Sequence, residues 1–236
     1  MRSIDTKAIA LTKIPALILA VTGLAMMIGC AGKTPQRVDS SRMNRPLAAP
    51  AADGTKPKII CFGDSLTAGF GLAEKESYPY LLQQKLTGDG YDYEVVNAGV
   101  SGETSTGGLE RADWVLGQDN AKIVVLELGA NDMLRGMPPA KTKENLDKII
   151  QKAQAKGLTV LLCGMLAAPT MGAEYQRAFS TAFPDLASEH KVAYLPFLLE
   201  NIALNKDLNQ ADGIHPNPAG EKIMTENVYK ALKPLL

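Results

Sequence analysis

The sequence predicts an α/β fold, a three-layer sandwich in which helices cover both faces of a five-stranded parallel sheet. Three observations lead there. Strand-like and helix-like segments alternate from residue 58 to the C-terminus; KIICF is a continuous apolar run, and KIVVLEL is the clearest strand. The glycine-rich polar motifs fall directly after such runs or directly before the last helix. Unbroken apolar runs belong to strands buried on both faces, as in a parallel sheet flanked by crossover helices. The 236 residues suffice for one such domain, and no internal repeat or second domain is visible.

In order, KIICF (58–62) is the first strand, and Ser77 to Leu86 sets Tyr78, Leu81, Leu82 and Leu86 on one helical face. A short strand follows at Tyr93 to Val96, then a helix over about 105–117, then the strand KIVVLEL (122–128). Thr142 to Lys156 places Leu146, Ile149, Ile150 and Ala153 at helical spacing with charges opposite. The strand LTVLLCG (158–164), a helix around 174–190 and the strand VAYLPF (192–197) complete the alternation. The last helix opens at Asn217-Pro218, a capping residue followed by proline in the first turn. Right-handed crossovers then bring four motifs to the carboxyl edge of the sheet: Gly63-Asp64-Ser65, Asn97 to Gly102, Gly129 to Asp132, and Asp212 to Pro216. In open α/β sheets that edge is the ligand crevice.

The N-terminal segment is of another kind. Arg2, Lys7 and Lys13 precede fifteen nearly pure apolar residues, Ile14 to Ile28, a signal-peptide length too short to span a bilayer comfortably. The sequence Met27-Ile28-Gly29-Cys30 resembles the lipobox of bacterial lipoproteins, in which cleavage precedes a lipidated Cys30. Met27 stands where that motif prefers Leu, so an uncleaved anchor, or ordinary secretion as a soluble periplasmic protein, are the alternatives. Residues 1–29 are thus expected to be a lipoprotein-type signal peptide and residues 30–57 a disordered tether. Four prolines and no apolar periodicity mark residues 31–57 as unable to bury enough surface to order themselves. The folded domain, 58–236, would be held at the cell envelope through a membrane anchor at Cys30.

Composition excludes several classes. The chain has 25 basic and 25 acidic residues; without residues 1–29 the balance is 22 to 24, a formal charge of −2, which gives nucleic acid no basic surface. No glycine-rich phosphate loop occurs. With two histidines and no paired-cysteine spacing, neither a catalytic metal nor another cofactor is expected. Cys61 and Cys163 sit in apolar strands and read as buried thiols, a disulfide between them being the less favoured alternative.

Ser65, directly after the first strand, is a candidate nucleophile. An alcohol is weak at neutral pH and needs an adjacent base, usually histidine. Asp212, three residues before His215, can accept from the ring nitrogen facing away from Ser65, orienting the imidazole and stabilising its cation. Attack on a carbonyl then creates an oxyanion that needs preplaced donors. The Ser65 N–H, the Gly102 N–H and the Asn131 amide are candidates. Each signal is weak alone: Asp212 also reads as a turn former, Asn131-Asp132 as an Asx turn, and His215 as a loop histidine. His190, ending a charged helix without a partner signature, reads as a surface residue. The order and placement of the motifs favour chemistry.

GDSL (63–66), a glycine within NAGVSGETS (97–105), GAND (129–132) and DGIHP (212–216) resemble the four blocks of the SGNH, or GDSL, hydrolase family. The resemblance covers nearly all of 58–236 and is closest to the bacterial multifunctional acyl-thioesterase, arylesterase and lysophospholipase branch. It implies a flavodoxin-like sheet order, Ser65, Asp212 and His215 as triad, and Ser65, Gly102 and Asn131 as oxyanion hole, with Gly99 competing for the block-two glycine. It also implies hydrolysis of small-molecule carboxylic ester or thioester substrates. A carbohydrate O-acetylesterase of the cell envelope is the alternative, and a non-catalytic lipoprotein binding module a third reading. The single Trp and 6% aromatic content offer sugars few stacking platforms. Met133, Leu134, Met137 and Leu166 suit an acyl chain better, and the segment 133–139 is a candidate cover over it.

Overall fold

The computed structural model describes residues 56–236. The expected signal segment 1–29, Cys30 and nearly all of the tether 30–57 lie outside the described residues. Five parallel strands form the sheet: β1 (Lys58–Gly63), β2 (Glu94–Gly99), β3 (Ala121–Glu127), β4 (Thr159–Cys163) and β5 (Ala193–Leu195), in the order β2-β1-β3-β4-β5. The helices are α1 (Ser65–Ala68), α2 (Tyr78–Gly88), α3 (Ser105–Val115), α4 (Ala130–Leu134), α5 (Pro139–Ala155), α6 (Ala173–His190) and α7 (Pro218–Leu232). Helix α2 packs on α7, while α5 packs between α3 and α6. The expected α/β fold is borne out.

The core follows from the apolar runs. Ile59 to Phe62, Val124 to Leu126 and Leu161 to Cys163 are fully buried, because β1, β3 and β4 are the inner strands. Cys61 and Cys163 are free buried thiols, on strands separated by β3. Strand β2 runs three residues past the sequence estimate, since its pairing with β1 continues to Gly63↔Gly99. Strand β5 is shorter than estimated, with three residues at the sheet edge. Among the described residues, no helix is long and apolar enough to cross a membrane.

Two short helices, α1 and α4, replace the turns expected after β1 and β3. At four and five residues they are too short to show apolar periodicity. Asp64 caps α1, accepting the Leu66 N–H at 3.0 Å. His190 also departs from expectation: it is half-buried between α6 and α5, with Nε2 2.5 Å from Asp147 Oδ1. Its partner lies 43 residues away, so no local signature announced it. The predicted cap of α7 holds, with Asn217 accepting the N–H groups of Ala219 and Gly220. One turn further, buried Glu221 accepts the Tyr78 N–H at 2.7 Å and ties α7 to the start of α2.

Candidate active site at the carboxyl edge of the sheet

Gly63 pairs with both Gly99 and Glu127, so the segments after β1, β2 and β3 leave the sheet side by side. A side chain at Gly63 is impossible, because its Cβ would lie 2.1 Å from Thr67 Oγ1 and 2.4 Å from Glu127 Oε2. Glycine thus ends β1 and lets the chain turn straight into α1, with Ser65 as the first helical residue and only 8% exposed.

The other members come from the loop before α7. His215 Nε2 lies 2.9 Å from Ser65 Oγ, and His215 Nδ1 lies 2.7 Å from Asp212 Oδ2. An ionised carboxylate only accepts, so Nδ1 carries the hydrogen and Nε2 is left to accept from Ser65. Asp212 also behaves as the turn former that the sequence suggested: Oδ1 accepts the N–H groups of Ile214 and His215 at 3.0 and 3.1 Å. Partial burial pushes its pKa up, but the His215 ring and these two N–H groups outweigh burial and hold it down at about 2. It therefore stays ionised through the neutral range. The Phe70 ring packs 4.6 Å from the imidazole. Gln210, unremarked in the sequence, braces this arm: its N–H donates to His215 O, and its side chain donates to Phe70 O and Pro216 O.

Asn131 sits in the first turn of α4 and donates through Nδ2 to Asp64 Oδ2 at 2.9 Å. Its neighbour Asp132 is fully buried, accepting from Ser105 and from Thr142 Oγ1. Asp132 thus fastens α3 and α5 to the end of β3. Gly102, with φ of +79°, lies in the turn after β2, and its carbonyl accepts from Arg135 Nη2 at 2.7 Å. The competing Gly99 has its N–H engaged by Asn97 Oδ1 at 3.0 Å, and a Cβ there would strike the Ala68 nitrogen at 2.3 Å. Arg111 was also missed in the sequence. It pairs with Glu103, donates to the carbonyls of Gly63 and Ala98, and lies 4.6 Å over the Phe62 ring. Like Gln210, it carried no signal because its partners belong to other segments.

Beneath the turn, Asp64 and Glu127 are both fully buried. Burial raises Asp64 to about 6 against the pull of the Leu66 N–H, Asn131 and Glu127. Burial, reinforced by the Asp64 charge, holds Glu127 well above the carboxylate range. Above it, Phe70, Val100, Leu134, Leu166 and Ile214 expose between 45% and 53% of their surface on the segments that leave this edge. Met133 is half-buried, and the 133–139 segment is tied down: the Met137 N–H donates to Asp132 O and the Tyr175 hydroxyl donates to Met137 O at 2.8 Å. Among the described residues, no group of three His, Cys, Asp or Glu side chains is arranged to hold a metal.

A serine linked through histidine to aspartate, at the carboxyl edge of a doubly wound parallel sheet, defines the class of α/β serine hydrolases. Comparison with known proteins narrows the class. The chain belongs to the GDSL-like Lipase/Acylhydrolase family, whose family model matches residues 61–223. It is 45% identical over 178 residues to Esterase TesA of Pseudomonas aeruginosa, covering 75% of this chain and 89% of that protein. It is 37% identical to Thioesterase 1/protease 1/lysophospholipase L1 of Escherichia coli (strain K12), over 75% of this chain and 84% of that one. Among solved structures, it superposes with a TM-score of 0.73 on the psychrotrophic esterase EstA from Pseudoalteromonas sp., inhibited by monoethylphosphonate. That pair is 34% identical, over 76% of this chain and 98% of the other.

Proposed function

We propose that the protein hydrolyses carboxylic ester or thioester bonds of acyl substrates, with Ser65 as nucleophile, His215 as base and Asp212 as its orienting carboxylate. The observation that carries the reading is the continuous relay from Ser65 Oγ to His215 at 2.9 Å and from His215 to Asp212 at 2.7 Å. His215 takes the Ser65 proton as Oγ attacks the acyl carbon, and Asp212 stabilises the imidazolium so formed. The negative charge that gathers on the carbonyl oxygen is met by the Ser65 and Gly102 N–H groups and the Asn131 amide. His215 then returns the proton to the departing alcohol or thiol, and water, activated the same way, releases the acid. The exposed apolar side chains around the edge offer an acyl chain its contacts. Lipidation at Cys30 would hold this domain at the cell envelope on the tether 30–57, with several acyl chains giving stable attachment.

The kinship with an esterase inhibited by a phosphonate suggests the test. A fluorophosphonate probe is expected to label Ser65, and Ser65→Ala to lose labelling and at least ~10³-fold of ester hydrolysis while circular dichroism is unchanged. Labelling of the alanine variant at the wild-type rate would overturn the assignment. A rate panel of aryl esters of increasing acyl length, acyl-CoA, lysophospholipid and acetylated xylan then identifies the substrate. Mass spectrometry of the mature protein from its native host checks Cys30: a first residue other than Cys30 refutes the anchor.

A further inference from the structure

We propose that Asp64 and Glu127 form a two-carboxyl support behind the oxyanion hole, in which Glu127 holds the Asp64 backbone through its N–H and Asp64 fixes the amide of Asn131. The proposal rests on Asn131 being an oxyanion donor. An amide nitrogen carries two hydrogens in one plane, so directing one directs the other. Asp64 Oδ2 takes one of them at 2.9 Å, which holds the NH₂ rather than the carbonyl of Asn131 at that position and leaves its second hydrogen for the substrate oxygen. Without such an anchor the amide can turn over and present its oxygen, an acceptor, to a developing negative charge.

Glu127 explains how a carboxylate can serve there. Two adjacent buried carboxyl groups cannot both ionise without large repulsion and desolvation cost, so one keeps its proton. The hydrogen bonds say which. Glu127 Oε2 accepts twice, from Asp64 N–H at 3.2 Å and from Thr67 Oγ1 at 2.8 Å, whereas buried Oε1 meets no donor. Oε1 is therefore the oxygen free to carry the proton, while Oε2 holds the Asp64 N–H and the Thr67 hydroxyl. Asp64, accepting from the Leu66 N–H and from Asn131, has its charge spread over two donors. The other titratable groups near the pair are Tyr78, Cys61 and Cys163, buried and neutral on the Glu127 side, and His215 on the Asp64 side. A single, hydrogen-bonded negative charge positions Asn131 without a second one opposing the oxyanion. The packing is specific to this purpose: only glycine at 63 leaves room for Glu127 to reach under the turn.

Both residues are positioning residues, and a double-mutant cycle read in kcat tests them, with active enzyme counted by fluorophosphonate titration. Asn131→Ala and Asp64→Asn are each expected to lose about 10²–10³-fold in kcat with KM little changed, since either removes one oriented oxyanion donor. Because Asp64 acts through Asn131, adding Asp64→Asn to Asn131→Ala is expected to cost less than about twofold more. Glu127→Gln, which retains a donor and an acceptor, is expected to stay within about threefold of wild type, and Glu127→Ala to fall by tenfold or more. Losses that multiply in the double variant, or a Glu127→Gln variant as poor as Glu127→Ala, would overturn the support. If Asp64→Asn does not fold, the Glu127 pair decides alone. An Asn131→Ala variant with full kcat would instead remove the oxyanion reading itself, an outcome distinct from multiplying losses.

Discussion

Ser65 and His215 meet at 2.9 Å from contrasting surroundings. Ser65 stands on a buried platform: β1 ends beneath it, Asp64 and Thr67 are fully buried beside it, and Glu127 fills the space below. His215 arrives on a loop whose residues 211–214 are all exposed, held by the Asp212 turn, the Gln210 braces and the contact with Phe70. The difference matches the two tasks proposed for them. Donors that stabilise charge act best when they need not reorganise during the reaction, which favours burial and dense hydrogen bonding. A base that shuttles a proton between nucleophile and leaving group needs only local precision, which a braced loop supplies.

The sharpest way to break this comparison is Asp212→Asn. The amide can still accept the Ile214 and His215 N–H groups, so the turn survives while the carboxylate that sets the tautomer is lost. A kcat loss of about 10³–10⁴-fold with the loop intact is expected; a small loss would make Asp212 a turn residue only. On the platform side, Asn131→Ala is expected to cost about 10²–10³-fold in kcat with KM nearly constant, because its bond strengthens only as charge develops. A raised KM with unchanged kcat would make Asn131 a substrate-positioning residue. Gln210→Ala probes the bracing of the arm alone. It removes two hydrogen bonds to backbone carbonyls, and roughly a tenfold fall in kcat is expected with thermal stability almost unchanged.

The smallest effect concerns a carboxyl away from the chemistry. Burial raises Glu221 to about 8, opposed only by the Tyr78 N–H. Its folded pKa therefore lies above the unfolded value of about 4.5, and the folded state binds more protons between the two. The stability from Glu221 is complete below about pH 4.5 and is lost as pH rises through about 8. Glu221→Gln, which keeps an acceptor for Tyr78, is expected to gain in melting temperature over the wild type at pH 8.5 and to match it near pH 5. An equal difference at both pH values would show that Glu221 does not titrate in this range.

Much of this was legible in the residues themselves. The apolar runs of β1, β3 and β4 declared buried strands because strands covered on both faces have no polar positions to alternate. Ser65, Gly102, Asn131, Asp212 and His215, each a weak signal alone, stood out because their motifs occur together, in order and at strand ends. What stayed hidden has a common cause. Glu127 looked like a polar residue closing an apolar strand, and its partner Thr67 is 60 positions away. Arg111 reaches 48 residues back to Gly63, and Gln210 reaches 140 residues back to Phe70.

Local composition and period, which depend on neighbours a few residues apart, determined the strands, the longer helices and the residues fit for acyl transfer. The tertiary structure decided what those residues can do. The strand order β2-β1-β3 aligns Gly63 with Gly99 and Glu127, and the crossover to α7 carries His215 across 150 residues to Ser65. Distance, orientation and desolvation exist only once the chain has closed on itself, and they convert a list of suitable side chains into a site.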